Sequence, residues 1–490
     1  MPNDSSSNAL GLQSAVDLLE MLASHEVSSV ELLDHFVERN SSLHSQLNAV
    51  VTLDVEQARA SAANSDHRRA KGEAVGVIEG LPMTIKDAIA VKGVRSTGGA
   101  VELADHVPEQ DAEVVSKIKT AGGIVFGKTN LPRWSGDIQA YNDIFGTTNN
   151  PWDLDCGPGG SSGGASAAVA AGLTPWEIGT DIGGSIRLPA HFAGVCGHKP
   201  SFGIVPQVGY IDNVSYGLTD ADVNVFGPLA RTVNDLELLF DVVNGPRQDA
   251  ANGWSLDLPL ARGDAKGLRV ASWLDDPDCP VSEDVSVVLE AAVSAIEADG
   301  VTVDRSARPD IAFNDVRRVG QPLISASTSP GRTEEELEAL QEIISDPSAD
   351  ETLRMRASAS TMTHRDWLLL TERRDRNRKL WADFFTGFDV LLAPVAFVSA
   401  FEHQHEGNLY TRTLTVDGRV RPYADLIVWT SQFGYVYLPS TVVPVGLTSR
   451  GVPVGVQIVG PYLGDRTTLE FARYLEFLLG GYRVPPIAQI

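Results

Sequence analysis

The stretch Asp111-Ala-Glu-Val-Val-Ser-Lys-Ile-Lys-Thr-Ala-Gly122-Gly-Ile-Val-Phe126 reads as a helix, a stop and a strand. Val114, Val115 and Ile118 fall at helical spacing, Gly122 ends the helix, and Ile124–Phe126 is a short apolar run. A further helix is expected to begin near Asn130. Leu268–Trp273 and the stretch after Ser282 repeat the rhythm. Such strand–helix alternation predicts an α/β layered fold with a mostly parallel or mixed sheet.

Working outward, two amphipathic helices open the chain. Val16, Leu19 and Leu22 mark the first. The second starts at Ser28-x-x-Glu31, a capping-box pattern, ahead of Leu32, Leu33, Phe36 and Val37. A third is expected in the Ala-rich stretch after Val51. Between 305 and 385 the pattern changes to charged helices, Glu334–Ile344 and Arg365–Trp381, which predict a helical cover over the sheet. Val442–Val445 and Val454–Val459 are apolar runs separated by a Thr-Ser-Arg-Gly turn. A closing helix over Thr467–Leu479 stops at Gly480-Gly481. There is no internal repeat, and only residues 157–172 are compositionally biased, toward Gly, Ser and Ala.

A length of 490 residues is enough for several domains, yet no stretch reads as a linker between independent cores. The 39 Lys+Arg against 64 Asp+Glu leave a net charge of −25, which argues against nucleic acid or anionic lipid as a partner. Cys156, Cys196 and Cys279 form no disulfide framework and no zinc-like spacing, so a reducing cytoplasm is the expected setting. Met1–Ser7 is polar and carries no signal-peptide pattern, and no apolar run reaches transmembrane length.

Three segments carry chemistry. Cys156-Gly-Pro-Gly-Gly-Ser161-Ser-Gly-Gly-Ala165 admits three readings: a flexible linker, a G-x-S-x-G nucleophile elbow, or a phosphate cradle. No Gly-Lys-Ser/Thr closes it, so the cradle fails as a P-loop. The segment runs straight into the small-residue stretch Ala165–Ala171, which favours a turn-to-helix joint over a tether. Gly179-Thr-Asp-Ile-Gly-Gly-Ser185-Ile-Arg187-Leu-Pro189 presents a second serine after two glycines. Glycines let successive N–H groups point at one spot, as an oxyanion hole requires; a tight turn with a surface serine is the plainer reading. Gly80-Leu-Pro-Met-Thr-Ile-Lys86-Asp87 sets one lysine inside an apolar run. Either Lys86 points to water from an edge strand, or it is desolvated and serves as a base near neutral pH.

Together these segments resemble the amidase signature family. The ordered set is Leu81-Pro-Met-Thr-Ile-Lys-Asp87, Gly127-Lys-Thr-Asn130, Phe145-Gly-Thr-Thr-Asn-Asn-Pro-Trp152, and the two Gly-Gly-Ser motifs. Gly197-His-Lys-Pro200, Gly227-Pro-Leu-Ala-Arg231 and Gly451-Val-Pro-Val-Gly-Val-Gln457 extend it. The match is dense from 75 to 240 and clear again from 385 to 480. The resemblance implies one domain over 1–490, with its core at 60–245 and 385–485 and a substrate-covering helical region at 305–385. The implied fold is α/β, a central mixed, mostly parallel twisted sheet covered by helices on both faces.

The resemblance also implies a Ser–Ser–Lys triad without histidine, metal or cofactor. The family pattern places the nucleophile at Ser185, the bridging serine at Ser161 and the base at Lys86. Backbone N–H groups of Ile182, Gly183, Gly184 and Ser185 would hold the oxyanion. Asp181 and Arg187 are expected to brace the loop through a salt bridge, unless they form an ordinary solvated pair. Ser135 and Gly136 fall on the acyl side of the pocket. His191 and His198 invite a Ser–His–Asp reading, and Glu402-His-Gln-His405-Glu406 invites a metal reading. Both histidines read better as structural, and the acidic stretch as a solvated loop. Trp429, Phe433, Tyr435 and Tyr437 are candidates for the pocket wall, with core packing the role of at least two.

Three functions follow from these readings. The first is hydrolysis of a small amide, aryl amide, anilide, carbamate (urethane) or ester, in a protein that resembles enzymes which often form homodimers. The second is the glutamine-hydrolysing, A-type subunit of an amidotransferase, which releases ammonia from glutamine for tRNA-dependent transamidation. The third is an inactive binding protein, against which the intact triad argues.

Overall fold

The computed structural model describes residues 10–211, 217–261, 264–329, 332–349, 351–409 and 411–489, so the polar Met1–Ser7 stretch lies outside it. Helices α1 (Ala15–Ala23), α2 (Ser29–Leu47) and α3 (Val55–Ala70) stand where the sequence predicts them, α3 in the Ala-rich stretch. At the start of α2 the Ser28 hydroxyl accepts the Glu31 N–H at 3.1 Å, and the Glu31 carboxylate accepts the Ser28 N–H at 2.9 Å. This reciprocal capping satisfies two donors that helix geometry leaves unpaired.

Strand β1 (Val50–Leu53) separates α2 from α3. Strands β2 (Pro82–Lys86) and β3 (Ile124–Thr129) flank α4 (Glu113–Thr120), the helix–stop–strand unit read above. The three strands form one sheet in the order β1–β3–β2. β2 runs parallel to β3 with Lys86 opposite Thr129, and β1 is antiparallel to β3. Every residue of β2 and β3 is buried, so Lys86 lies inside the protein rather than on a wet edge.

The helix expected near Asn130 does not form. The Asn130 side chain instead holds a turn: Oδ1 accepts the Leu131 N–H at 3.0 Å and an Asn142 amide hydrogen at 2.7 Å, while Nδ2 donates to Gly146 O and Thr148 Oγ1, both at 3.0 Å. Pro132 follows at once. Asparagine competes with helix by such local bonds.

A second sheet has eight strands among the described residues: β4 (Trp176–Asp181), β5 (Cys196–Lys199), β6 (Val225–Ala230), β7 (Val270–Ser272), β8 (Val303–Asp304), β9 (Val390–Pro394), β10 (Ser440–Leu447) and β11 (Pro453–Val459). Their order is β8–β7–β9–β11–β10–β5–β6–β4. The sheet is mixed as expected, but antiparallel pairing prevails over the expected mostly parallel one. Only β8/β7 and β7/β9 are parallel. The remaining neighbours are antiparallel. The runs at 442–459 show why: a tight turn joins them, and a tight turn returns the chain antiparallel.

The remaining helices are α5 (Gly163–Ala170), α6 (Arg187–Ala193), α7 (Val233–Val243), α8 (Glu283–Ala298), α9 (Gln321–Ser327), α10 (Glu334–Ser345), α11 (Glu351–Ser360), α12 (His364–Gly387), α13 (Val428–Gly434) and α14 (Asp465–Leu479). Strand side chains alternate between two apolar clusters. On β9, Val390 and Leu392 join a cluster with α1, α2, α4, α7, α8 and α14. Leu391 and Ala393 join a second with α5, α6, α12 and α13. Helices therefore cover both faces of the larger sheet. The charged helical region predicted between 305 and 385 forms as α9–α12. It is anchored through Trp381 and Phe385 of α12, with Trp381 set edge-on to Phe433 of α13 at 5.5 Å between centroids, while α10 buries no residue. Among the described residues no helix is long and apolar enough to cross a membrane.

Candidate active site

Residues 156–162 are all buried and lead directly into α5, so this segment is a packed joint and not a tether. A Cβ on Gly160 would lie 2.5 Å from Gln139 N and Ile138 C, so only glycine fits there. The Gly160–Ser161 peptide is cis.

β4 ends at Asp181, and residues 182–186 turn into α6. The two serine loops are stitched side by side. The Ser162 N–H donates to the Ser185 carbonyl at 3.1 Å, and Ser162 Oγ accepts the Thr180 N–H at 3.3 Å. Lys86, from the smaller sheet, closes the group: its Nζ lies 2.7 Å from Ser161 Oγ and 2.7 Å from Thr180 Oγ1. Lys86 and Ser161 are fully buried, whereas Ser185 is partly exposed. The set thus runs from a fully buried lysine to a partly exposed serine. Burial pushes the Lys86 ammonium down to about 7, against the opposing pull of Asp181 and Glu177. A lysine in that range is half neutral near physiological pH and can accept a proton.

Asp181 and Arg187 form a fully buried pair, not a solvated one. Arg187 Nε donates to Asp181 Oδ2 at 3.0 Å and Nη2 to Oδ1 at 2.9 Å, a two-pronged contact. Burial favours the neutral acid, but Arg187, joined by Lys199 and the Ile186 amide, holds the Asp181 carboxyl below the usual carboxylate range. The same carboxylate accepts the Gly184 N–H at 2.8 Å and the Ile186 N–H at 3.1 Å. The Gly184 amide, one of the expected oxyanion donors, is thus bonded to Asp181. We predict that Arg187→Ala lowers unfolding free energy by about 3–5 kcal/mol, because it strands a buried carboxylate. Urea titration measures it, and Arg187→Lys should recover only part, since an ammonium lacks the fork.

The loop carrying Ser135 and Gly136 continues into Asp137–Gln139, the backbone that packs on Gly160. Trp134 and Ser135 both have left-handed backbone, at φ 53° and 55°, and the buried Ser135 hydroxyl has no hydrogen-bond partner among the described residues. Of the aromatic candidates, Trp429, Phe433 and Tyr435 are core residues, and Tyr437 stacks on Phe202 at 4.2 Å. The residues above the glycine loop are Ile427 and Thr430. A Cβ on Gly183 would sit 3.6 Å from Ile427 Cδ1, and Thr430 Oγ1 donates to Gly183 O at 2.6 Å.

Both histidines are spent on structure. His191 Nδ1 accepts the Gly455 N–H at 2.9 Å, and its Nε2 bonds Val398 O at 3.0 Å. His198 bonds Thr441 Oγ1 at 2.9 Å and Asp465 Oδ1 at 3.2 Å. In the 402–406 stretch, His403 bonds Asn149 and His405 stacks on Tyr141.

Two residues beside Lys86 escaped the sequence reading. Thr180 supplies its second hydroxyl contact, and Glu177 on β4 is fully buried. The signal that marked Lys86, a charge inside an apolar run, also stands in Trp176-Glu-Ile178.

The chain matches the amidase family model over residues 31–469. It is 32% identical over 464 residues to an indoleacetamide hydrolase of Bradyrhizobium diazoefficiens, covering 94% of this chain and 86% of that protein. It is 32% identical over 483 residues to the A-type subunit of the glutamyl-tRNA(Gln) amidotransferase of a Synechococcus species, covering 93% and 94%. The structure of a bacterial aryl acylamidase superposes with a TM-score of 0.79 at 26% identity, over 95% of this chain and 96% of that one. Fold and relatives together define a hydrolase of carbon–nitrogen bonds. The chain belongs to the amidase signature family.

Proposed function

We propose that this chain hydrolyses the C–N bond of a small aryl amide or anilide through a Ser185 acyl-enzyme, with aryl carbamates and esters as further substrates. The observation that carries the reading is the buried Lys86 Nζ, 2.7 Å from Ser161 Oγ and beside the Ser185 loop. Neutral Lys86 takes a proton relayed from Ser185 through Ser161 as Ser185 Oγ attacks the carbonyl carbon. The amides of Ile182, Gly183 and Ser185 meet the oxyanion. The relay then runs backwards, Lys86 returning the proton through Ser161 to the leaving nitrogen. Water attacks the acyl-enzyme by the same route and frees Ser185.

Ser135 and Gly136 line the acyl side, and α9–α12 cover the substrate. Ile182 and Ile427 supply apolar surface at the glycine loop, and relatives named for an indole amide and for aryl acylamides support an aromatic substrate. The glutamine-hydrolysing component of a tRNA-dependent amidotransferase is the second reading, favoured by the similarity to the Synechococcus protein. Ile427 and Thr430, which meet the glycine loop, offer no charge to a free amino acid.

The test is turnover of five substrates: an aliphatic amide, an anilide, an aryl carbamate, a nitrophenyl ester and glutamine. Anilide and carbamate are expected to react, with glutamine inert. Reaction with glutamine alone would install the second reading. Inertness of the folded protein toward all five would make it a binding protein.

A further inference from the structure

Glu177 is a fully buried acid that the proposed cycle leaves unused. It stands on β4, the strand that ends at Asp181 and delivers the Ser185 loop. Its Oε2 accepts the Thr84 hydroxyl, and its Oε1 accepts the Thr129 hydroxyl at 3.3 Å. Thr84 precedes Lys86 by two residues on β2 and so shares its face. Thr129 is the cross-strand neighbour of Lys86 on β3. One further bond runs alongside: the Thr84 N–H donates to Thr174 Oγ1 at 3.1 Å. Among the described residues no strand pairing joins the two sheets. The Glu177 carboxyl therefore ties both strands around Lys86 to the strand that carries the nucleophile loop.

We propose that Glu177 is a positioning residue for Lys86: it holds the lysine strand against the serine strand and sets how readily Lys86 is left neutral. The proposal rests on Lys86 being the base. The charged groups facing Glu177 are Lys86 from β2 and Lys128 from β3; the Lys128 Nζ lies 3.7 Å from Asp87 Oδ1. Asp181, on β4 itself, acts on Lys86 from the other side. Burial drives acid and lysine toward their neutral forms, Glu177 up to about 8 and Lys86 down to about 7. A single proton shared by such a pair has two placements. With Lys86 charged and Glu177 ionised the base is lost; with both neutral it is available. Glutamine at 177 removes the first placement and keeps the shape.

The experiment is the pH profile of kcat and KM on a nitroanilide for wild type, Glu177→Gln, Glu177→Ala and Lys86→Ala. Glu177→Gln is expected to move the acidic limb of kcat to lower pH. Glu177→Ala is expected to lower kcat about tenfold with KM little changed, through misplacement of the base. A Glu177→Gln limb that stays put or moves upward overturns the proposal, and decides the matter even if the alanine variant fails to fold. Lys86→Ala separates the two ideas. If it keeps nitroanilide turnover, the base assignment itself is wrong. If it is inactive while the Glu177→Gln limb is unmoved, only the role of Glu177 falls.

Discussion

Ser185→Ala is expected to lose anilide hydrolysis by roughly 10,000-fold or more, the scale seen when a nucleophile is removed from a serine hydrolase. Nothing else in the loop can replace it. Ser161 is buried against Lys86, and Ser162 holds its hydroxyl against the Thr180 backbone. The substitution removes one partly exposed oxygen, so the thermal unfolding midpoint should stay near that of wild type. The measurement is single-turnover aniline release, together with mass spectrometry of protein quenched on a slow carbamate. Wild type should gain the acyl mass at Ser185, and the variant should not. Acylation elsewhere would overturn the nucleophile assignment.

Lys86→Ala is expected to lower kcat for anilides by about 100- to 10,000-fold, the range for removal of a general base. Its signature is chemical as well as quantitative. An anilide must receive a proton before nitrogen departs, whereas nitrophenolate leaves unaided. The variant should therefore lose anilide turnover far more than ester turnover. The pH dependence has a fixed sign. Burial lowers Lys86 from 10.5 to about 7, and in the proposed relay the neutral amine is the active form. Wild-type activity should rise with pH through about 7, level off above it, and fall tenfold per pH unit below it. The residual ester activity of Lys86→Ala should lack that limb. Equal losses for ester and anilide would confine Lys86 to activating Ser185 and remove it from protonation of the leaving nitrogen.

Lys86, Ser161 and Ser185 stood out as candidates because each is chemically out of place, a lysine in an apolar run and serines among glycines, and the family resemblance joined them into one group; the Lys86–Ser161 contact is what the structure adds. The α2 cap was legible because its two bonds are local and reciprocal. Strand direction was not. Periodicity names a strand without saying which way its neighbour runs, and β6 contains Gly227-Pro228, residues that discourage a strand reading. Gly227 is nonetheless fitted there, since a Cβ would meet His198 O at 2.2 Å. The engagement of the Gly184 amide by Asp181 was hidden too, because it depends on where a side chain ends in space. Glu177 carried the same signal as Lys86, but its partners lie on strands 48 and 93 residues away.

Among the described residues, β2, which carries Lys86, and β4, which leads into the Ser185 loop, belong to different sheets with no strand pairing between them. A backbone ladder quantises position, because a strand can shift only by whole residues; two packed layers can slide by fractions of an ångström. The placement of Lys86 against the Ser185 loop is thus a continuously adjustable quantity, governed by side-chain volume between the layers. Substitutions that thicken or thin that seam are expected to retune the proposed proton transfer without replacing a reacting group, so variants with altered rate and unaltered active-site residues are expected there.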